Sequence, residues 1–247
     1  NAGPGAARNR GLSETTAPLV TFLDADDEYL PSFLQTALDF LKNNSDCDRV
    51  STGFYEYPAR ISSEQPWKKR GLRAGSYQMS PSHTPWLLDA LHGYMSPWST
   101  VARTEVIRRY GGFYEQDHCT YGEDQYLFLK ILINCTVGVL LAPHVIHHID
   151  ASELDRNRST PRPVYPFLLD PKPILDVCPE DKHMLLNRIL EIRASGSARY
   201  YLQEIEPPDY VTARMLLRKH PYIGGDPWQR TLTLLWYYFV PGCRILR

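Results

Sequence analysis

Apolar positions along the chain form short β-type runs alternating with helical stripes, the pattern of an α/β domain. The continuous run Leu19-Val20-Thr21-Phe22-Leu23 predicts a strand over 18–23 buried on both faces. Apolar residues at helical spacing (Phe33, Leu34, Ala37, Leu38, Leu41) predict a helix over 31–44, opened by Pro31 and ended by Asn43-Asn44. Further strands are predicted over 47–57, 96–102, 135–141 and 144–149, and further helices over 4–16, 84–93, 103–110 and 123–133. Residues 58–82, polar and carrying Lys68-Lys69-Arg70, read as an excursion over the surface. The proline-rich stretch 151–179 reads as a linker or a loop wrapped on the domain, and helical patterns follow near 180–204, 209–219 and 227–240. The expected organisation is an α/β unit over 1–150, a linker over 151–179 and a helical extension over 180–247.

Composition changes this picture little. The 247 residues are 43% hydrophobic and 22% charged, enough apolar material for a proper core. A net charge of -1 argues against bulk binding to nucleic acid. It conceals a mild asymmetry: 13 Lys and Arg against 17 Asp and Glu in 1–150, then 14 against 11 in 151–247. The positive tail would favour an anionic membrane surface, though an excess of three is a weak signal. The five cysteines are scattered with no C-x-x-C spacing, so neither a disulfide framework nor a zinc site is implied, and a reducing compartment is expected. No apolar run approaches the roughly 20 residues that span a bilayer. Residues 232–240, stopped by Pro241, read as a helix buried in the protein or lying along a membrane surface.

The chemistry starts where the first predicted strand ends, at Asp24-Ala25-Asp26-Asp27. In extended chain Asp24 and Asp26 point the same way, and ligands of open α/β sheets sit beyond the carboxyl ends of such strands. Two adjacent carboxylates there need a cation or a donor between them. A hard divalent metal held by one or two carboxylates and completed by water and phosphate meets that need. A solvated acidic turn, or an Asp capping the next helix, meets it equally well.

Three more motifs surround this cluster. Upstream lies Asn1-Ala2-Gly3-Pro4-Gly5-Ala6-Ala7-Arg8-Asn9-Arg10-Gly11-Leu12; downstream come Gly111-Gly112-Phe113-Tyr114-Glu115 and Gly122-Glu123-Asp124 at a helix start. In that order and at that spacing, the set resembles the inverting glycosyltransferase family 2, with its N-x-G-x-x-x-A-R-N-x-G-L, D-x-D-D, G-G-F-x-E and E-D motifs. The likeness covers most of 1–150 and thins beyond about 152. It implies a GT-A fold, a Rossmann-like mixed sheet flanked by helices, here with a C-terminal helical extension. In that family the first βαβ units precede the Asn-x-Gly motif and build much of the nucleotide pocket, so an N-terminally truncated domain is expected. Whether a fragment, a shortened reading frame or a partner's strands explains this stays open.

The resemblance also implies roles. Asp26 would be the direct ligand of Mn2+ or Mg2+, Asp24 a ribose or diphosphate contact, and Asp27 an orienting group. Asp124 would be the catalytic base that takes the acceptor hydroxyl's proton as this oxygen attacks the anomeric carbon. On position alone, Glu123 and Asp124 are equally acids favoured in a first helical turn, and the macrodipole there weakens a base unless burial or a neighbouring charge offsets it. Arg8 would face the donor diphosphate, with Asn1, Gly3 and Gly5 beside the nucleotide, although Gly3-Pro4-Gly5 is equally a plain turn. Trp98 and Glu123 would meet the acceptor, with Trp98 equally suited to the core. Family members often carry a histidine after the last strand; in His147-His148-Ile149-Asp150 the third metal ligand would be Asp150, His148 or neither.

The implied activity is metal-assisted transfer of a sugar from a nucleotide-diphosphate donor to a glycan, lipid or protein hydroxyl, with inversion. It implies a cytoplasmic enzyme of polysaccharide biosynthesis, peripheral to the inner face of a membrane. A catalytically impaired domain serving as a binding or assembly module is the alternative. A haloacid dehalogenase-type phosphatase, which also carries D-x-D after a strand, is a remote one, since Glu28 stands where that motif has Thr or Val.

Overall fold

In a computed structural model describing residues 2–151, 161–224 and the isolated positions 228, 231 and 234, the chain folds around a seven-stranded mixed sheet. The strands are β1 (Leu19–Val20), β2 (Glu28–Tyr29), β3 (Arg49–Tyr57), β4 (Ile61–Ser62), β5 (Gly75–Gln78), β6 (Thr100–Arg103) and β7 (Thr136–His148). They run in the order β1-β6-β3-β7-β2, with β4 attached to β3 and β5 to β7. The long central pair β3 and β7 is parallel, from Arg49 opposite Val137 to Tyr57 opposite His148, and the remaining pairs are antiparallel. The register shifts around Gly53, where an added Cβ would overlap the Leu141 carbonyl.

Helices cover both faces. On one side α2 (Phe33–Asn43) buries Phe33, Ala37 and Leu41, one stripe at i, i+4, i+8, against Val50, Trp98, Val101 and Val145. On the other lie α4 (Pro85–Tyr94), α6 (Glu123–Asn134) and α9 (His183–Gln203), with α1 (Gly3–Glu14) and α10 (Tyr210–Lys219) at the margins. The strands alternate between the two cores: Val101 enters the first and Ala102 the second. Thr84 caps α4 by accepting from the Leu87 N–H, with Pro85 in the first turn, and Asp209 caps α10 by accepting from Thr212. Leu127, Phe128, Leu129, Ile131, Leu132 and Ile133 are all buried, so α6 is enclosed on every side.

The structure departs from the sequence reading in several places. The strand expected over 18–23 is regular only at Leu19 and Val20, which are half-buried, and Leu23 is 48% exposed. It is an edge strand, paired only with β6 among the described residues, so one flank lacks the neighbour that double burial requires. The strands expected at 135–141 and 144–149 are one continuous β7 that bends past Pro143. Residues 58–82 hold β4, α3 (Glu64–Lys69) and β5, with Leu72 and Met79 fully buried.

The stretch expected as a linker or a loop wrapped on the domain, described from 161, carries α7 (Pro166–Leu169) and α8 (Lys172–Leu175). Proline here starts helices instead of breaking them. Phe167, Leu168 and Ile174 are fully buried in the same core as α6, α9 and α10, so the helical extension shares its core with the sheet. The pattern at 227–240 lies outside the described residues. Among those described, no helix is long and apolar enough to cross a membrane.

Arg49 is fully buried, 4.1 Å over the Phe128 ring, and donates through Nη2 to Ser51 and Thr100. Its Nε and Nη1 have no hydrogen-bond partner among the described residues, and burial lowers its pKa to about 9. Ser51 and Thr100 already bond each other at 2.7 Å, so an apolar side chain of similar length strands neither hydroxyl. Arg49→Met should therefore leave stability unchanged or raised in chemical denaturation, whereas Arg49→Ala should lose about 2–5 kcal/mol to the cavity.

Candidate functional site

Four separate stretches meet at the N-terminus of α6. Arg8, on α1, extends one guanidinium between two carboxylates: Nη2 lies 2.7 Å from Asp24 Oδ1 and Nη1 lies 2.5 Å from Glu123 Oε1. The side chains of Arg8, Asp24 and Glu123 are 12%, 33% and 8% exposed, so the array is shielded but open on the Asp24 side. Burial alone would lower the Arg8 pKa; the two carboxylates more than offset it and hold the guanidinium above its ordinary value. Arg8 also stacks on Phe113 at 5.3 Å.

The neighbouring Asn9 reads the glycine-rich motif. Its Nδ2 donates to the Phe113 carbonyl and to Glu115 Oε2, both at 2.8 Å, while its Oδ1 accepts from the Phe113 N–H at 2.8 Å. Gly112, at φ 73°, has Asn9 where a side chain would stand. Consecutive residues of α1 thus hold the acid turn, the glycine turn and the start of α6.

The acid cluster is a turn instead of extended chain: the Asp27 N–H donates to the Asp24 carbonyl at 3.1 Å and the chain then enters β2. Its three carboxylates therefore have three environments. Asp24 is held by Arg8. The Asp27 side chain is buried and accepts from His147 Nδ1 and the His148 N–H, both at 3.0 Å, pinning the turn to β7. Asp26 is half-buried, and its side chain has no hydrogen bond or ion pair among the described residues. His148 Nε2 contacts Glu28 at 2.8 Å and its Nδ1 lies 3.6 Å from Asp150. Among the described residues, no three His, Cys, Asp or Glu side chains gather into a closed metal cluster.

Asp124 follows Glu123 in the first turn of α6, and its Oδ1 accepts from the Gln125 N–H at 2.7 Å. Burial pushes its pKa up to about 7; the Glu123 carboxylate adds to the rise, and Arg8 and the Gln125 bonds oppose it. That is the range in which a carboxylate accepts a proton effectively near neutral pH. The turn is held from α4, where His92 Nε2 donates to the Gln125 carbonyl at 2.8 Å, and Gln125 Nε2 donates to the Met95 carbonyl at 3.0 Å. Burial and the nearby Arg193 lower His92 to about 3, so it is neutral. Nothing in the spacing of His92 or Gln125 marks them as supports of α6, and only the fold brings them together.

Other residues singled out in the sequence fall elsewhere. Trp98, expected at the acceptor or in the core, is 8% exposed; its indole stacks on His147 (4.7 Å, 9°) and meets Phe54 edge-on. Gly3, expected beside the nucleotide, instead admits the Cys119 carbonyl, 2.5 Å from where a Cβ would lie. Gly5 similarly lets α1 approach the Tyr114 carbonyl and the Glu123 side chain. Glu123, expected at the acceptor, is only 6% exposed and turned towards Arg8. Asn1 lies outside the described residues.

A mixed sheet flanked by helices on both faces is the architecture of the GT-A fold. Crystal structures of S. aureus TarS share this fold. One, of residues 1–349, aligns at a TM-score of 0.51 and 16% identity over 96% of this chain and 72% of that one. Another aligns at 0.59 and 18% over 95% of this chain and 40% of that one. Residues 1–90 match the model of glycosyl transferase family 2. The pre-mycofactocin glycosyltransferases of two Mycobacterium tuberculosis strains are 29% identical over 131 residues, covering 53% of this chain and 26% of their own length. The first third of the chain is thus similar to glycosyltransferase family 2, and the chain spans about a quarter of the length of the curated relatives it matches.

Two glycines of α1, one crowded and one not, give a paired test. Gly11 has nothing within 4 Å of an added Cβ, whereas at Gly5 a Cβ would overlap backbone. Gly11→Ala should stabilise by about 0.5–1 kcal/mol, and Gly5→Ala should destabilise by about 1–3 kcal/mol, both measured by urea denaturation.

Proposed function

We propose that the chain transfers a sugar from a nucleotide-diphosphate donor to an acceptor hydroxyl with inversion, assisted by a divalent cation, and that Asp124 is the base. The observation that carries this reading is the contrast between the carboxylates: Asp24, Asp27 and Glu123 are engaged by cations or N–H donors, whereas Asp26 has no partner among the described residues and Asp124 is raised to about 7. Asp26, with the second oxygen of Asp24, would hold Mg2+ or Mn2+. One or two carboxylates suit these ions, which complete their shells with water and phosphate. When bound, the metal supplies positive charge for a departing diphosphate.

The chain's own part is to orient and to move a proton. Arg8 fixes Asp24 and Glu123 relative to each other and lends positive charge to the donor side. Glu123 raises the proton affinity of its neighbour, and Asp124 accepts the hydroxyl proton in a single displacement. With Asp24 Oδ1 committed to Arg8, the turn is poorly arranged for the nucleophile that a dehalogenase-type phosphatase requires. Peripheral membrane contact belongs to the same reading; the exposed Met184 and Val211, on α9 and α10, are apolar side chains that it would cover.

Thermal shifts with UDP-, GDP-, CDP- and dTDP-sugars, with and without Mn2+, test the donor side. At least one nucleotide sugar should raise the melting temperature further when Mn2+ is present, and Asp26→Ala should lose that metal-dependent part. A chain that no nucleotide sugar stabilises would be a binding or assembly module instead. Turnover should climb with pH through about 7 as Asp124 loses its proton, since the raised pKa keeps the base protonated below that point. Glu123→Gln should move this rise to lower pH, and Asp124→Asn should reduce kcat by about 10²–10⁴-fold.

A further inference from the structure

A cleft of about 520 Å³ opens between α3, α4, α9 and the segment before α7. Its size falls within the roughly 300–1,000 Å³ of small-molecule sites. The lining does not include the acid turn or Asp124, but it does include Tyr121, three residues before Asp124 and so within about 11 Å of chain. Gly122, between them, lies against Tyr165 of the same lining, 2.6 Å from where a Cβ would stand. The cleft wall and the turn that launches the base are thus one packed unit.

The cleft is aromatic and cationic together. Trp86 is 50% exposed at its edge, and Trp67 is stacked by Arg70 at 4.7 Å and braced edge-on by Tyr94. Indole faces stack on the C–H faces of sugar rings, and a half-bare tryptophan beside a cavity is apolar surface awaiting cover. Arg193 is neutralised by Asp89 at 2.5 Å, but Arg70 and Arg162 line the cleft, exposed and without an ion pair among the described residues. Glu204 is the remaining acid of the lining, which leaves a net positive rim. Guanidinium groups pair with carboxylates and phosphates through charge-assisted hydrogen bonds.

We propose that this cleft holds the acceptor and that the acceptor is a sugar chain bearing an anionic group, its ring stacked on Trp86 and its charge met by Arg70 and Arg162. The proposal rests on the transferase reading above. It assigns acceptor choice to residues 162–204 as much as to the family-matched segment.

The test is binding of the 247-residue chain to an array of uronate-bearing, phosphate-bearing and neutral oligosaccharides, run beside the thermal-shift panel. Retention should concentrate on acidic glycans, with the uronate and phosphate arms separating the two sources of charge. Trp86→Ala and Arg162→Gln should each weaken it at least tenfold while leaving the nucleotide–Mn2+ shift intact. Asp26→Ala should remove that shift and leave glycan retention unchanged, so failure of the donor reading and failure of this one are distinct. Neutral glycans retained equally well, retention indifferent to both cleft substitutions, or no glycan retained at all would overturn the proposal.

Discussion

One guanidinium organises the site. Arg8 reaches from α1 to Asp24 on the acid turn and to Glu123 on α6, and each contact is largely shielded from water. A buried charge without a partner is costly by several kcal/mol, so three segments distant in sequence are tied in one geometry. The close approach that permits this depends on Gly5, where any side chain would collide with the Tyr114 carbonyl and crowd Glu123. The glycine serves protein packing first, and the electrostatics follow from it.

The same contact divides labour among carboxylates that look alike in sequence. Two acids side by side at a helix start would ordinarily both be ionised by the macrodipole. Here Arg8 takes Glu123, and Asp124, half-buried beside that negative charge, is left with the raised proton affinity. In the acid turn, Arg8 takes Asp24, β7 takes Asp27, and Asp26 remains uncommitted among the described residues. The partners available to each carboxylate, more than the spacing of the motif, set its role.

Much of this was legible in the chain. Helical stripes at Phe33, Ala37 and Leu41 and the apolar run of α6 fall where periodicity predicts them, because burial on one face or all faces leaves a direct trace in residue type. The four motifs were readable as a set, and the structure gives a reason for their joint appearance: Arg8 and Asn9 physically contact the other three. What periodicity does not carry is partner identity. Leu19 to Leu23 reads as a doubly buried strand, yet an edge position leaves Leu23 half exposed. Trp98 suits a sugar platform or the core until His147 stacks on it, and the proline-rich stretch suits a linker or a wrapped loop until Phe167 and Leu168 enter the core. The aromatic cleft draws on residues from 67 to 204, a grouping that no local window contains.

The central claim is that Arg8 couples the acid turn to the base helix, and a double-mutant cycle measures that coupling directly. Arg8→Met, Glu123→Gln and the double variant, compared by urea denaturation, should give an interaction energy of about 1–3 kcal/mol, since Arg8→Met strands the buried Glu123 carboxylate, a charge that the double variant no longer carries. Single effects that add to within about 0.5 kcal/mol would contradict the account.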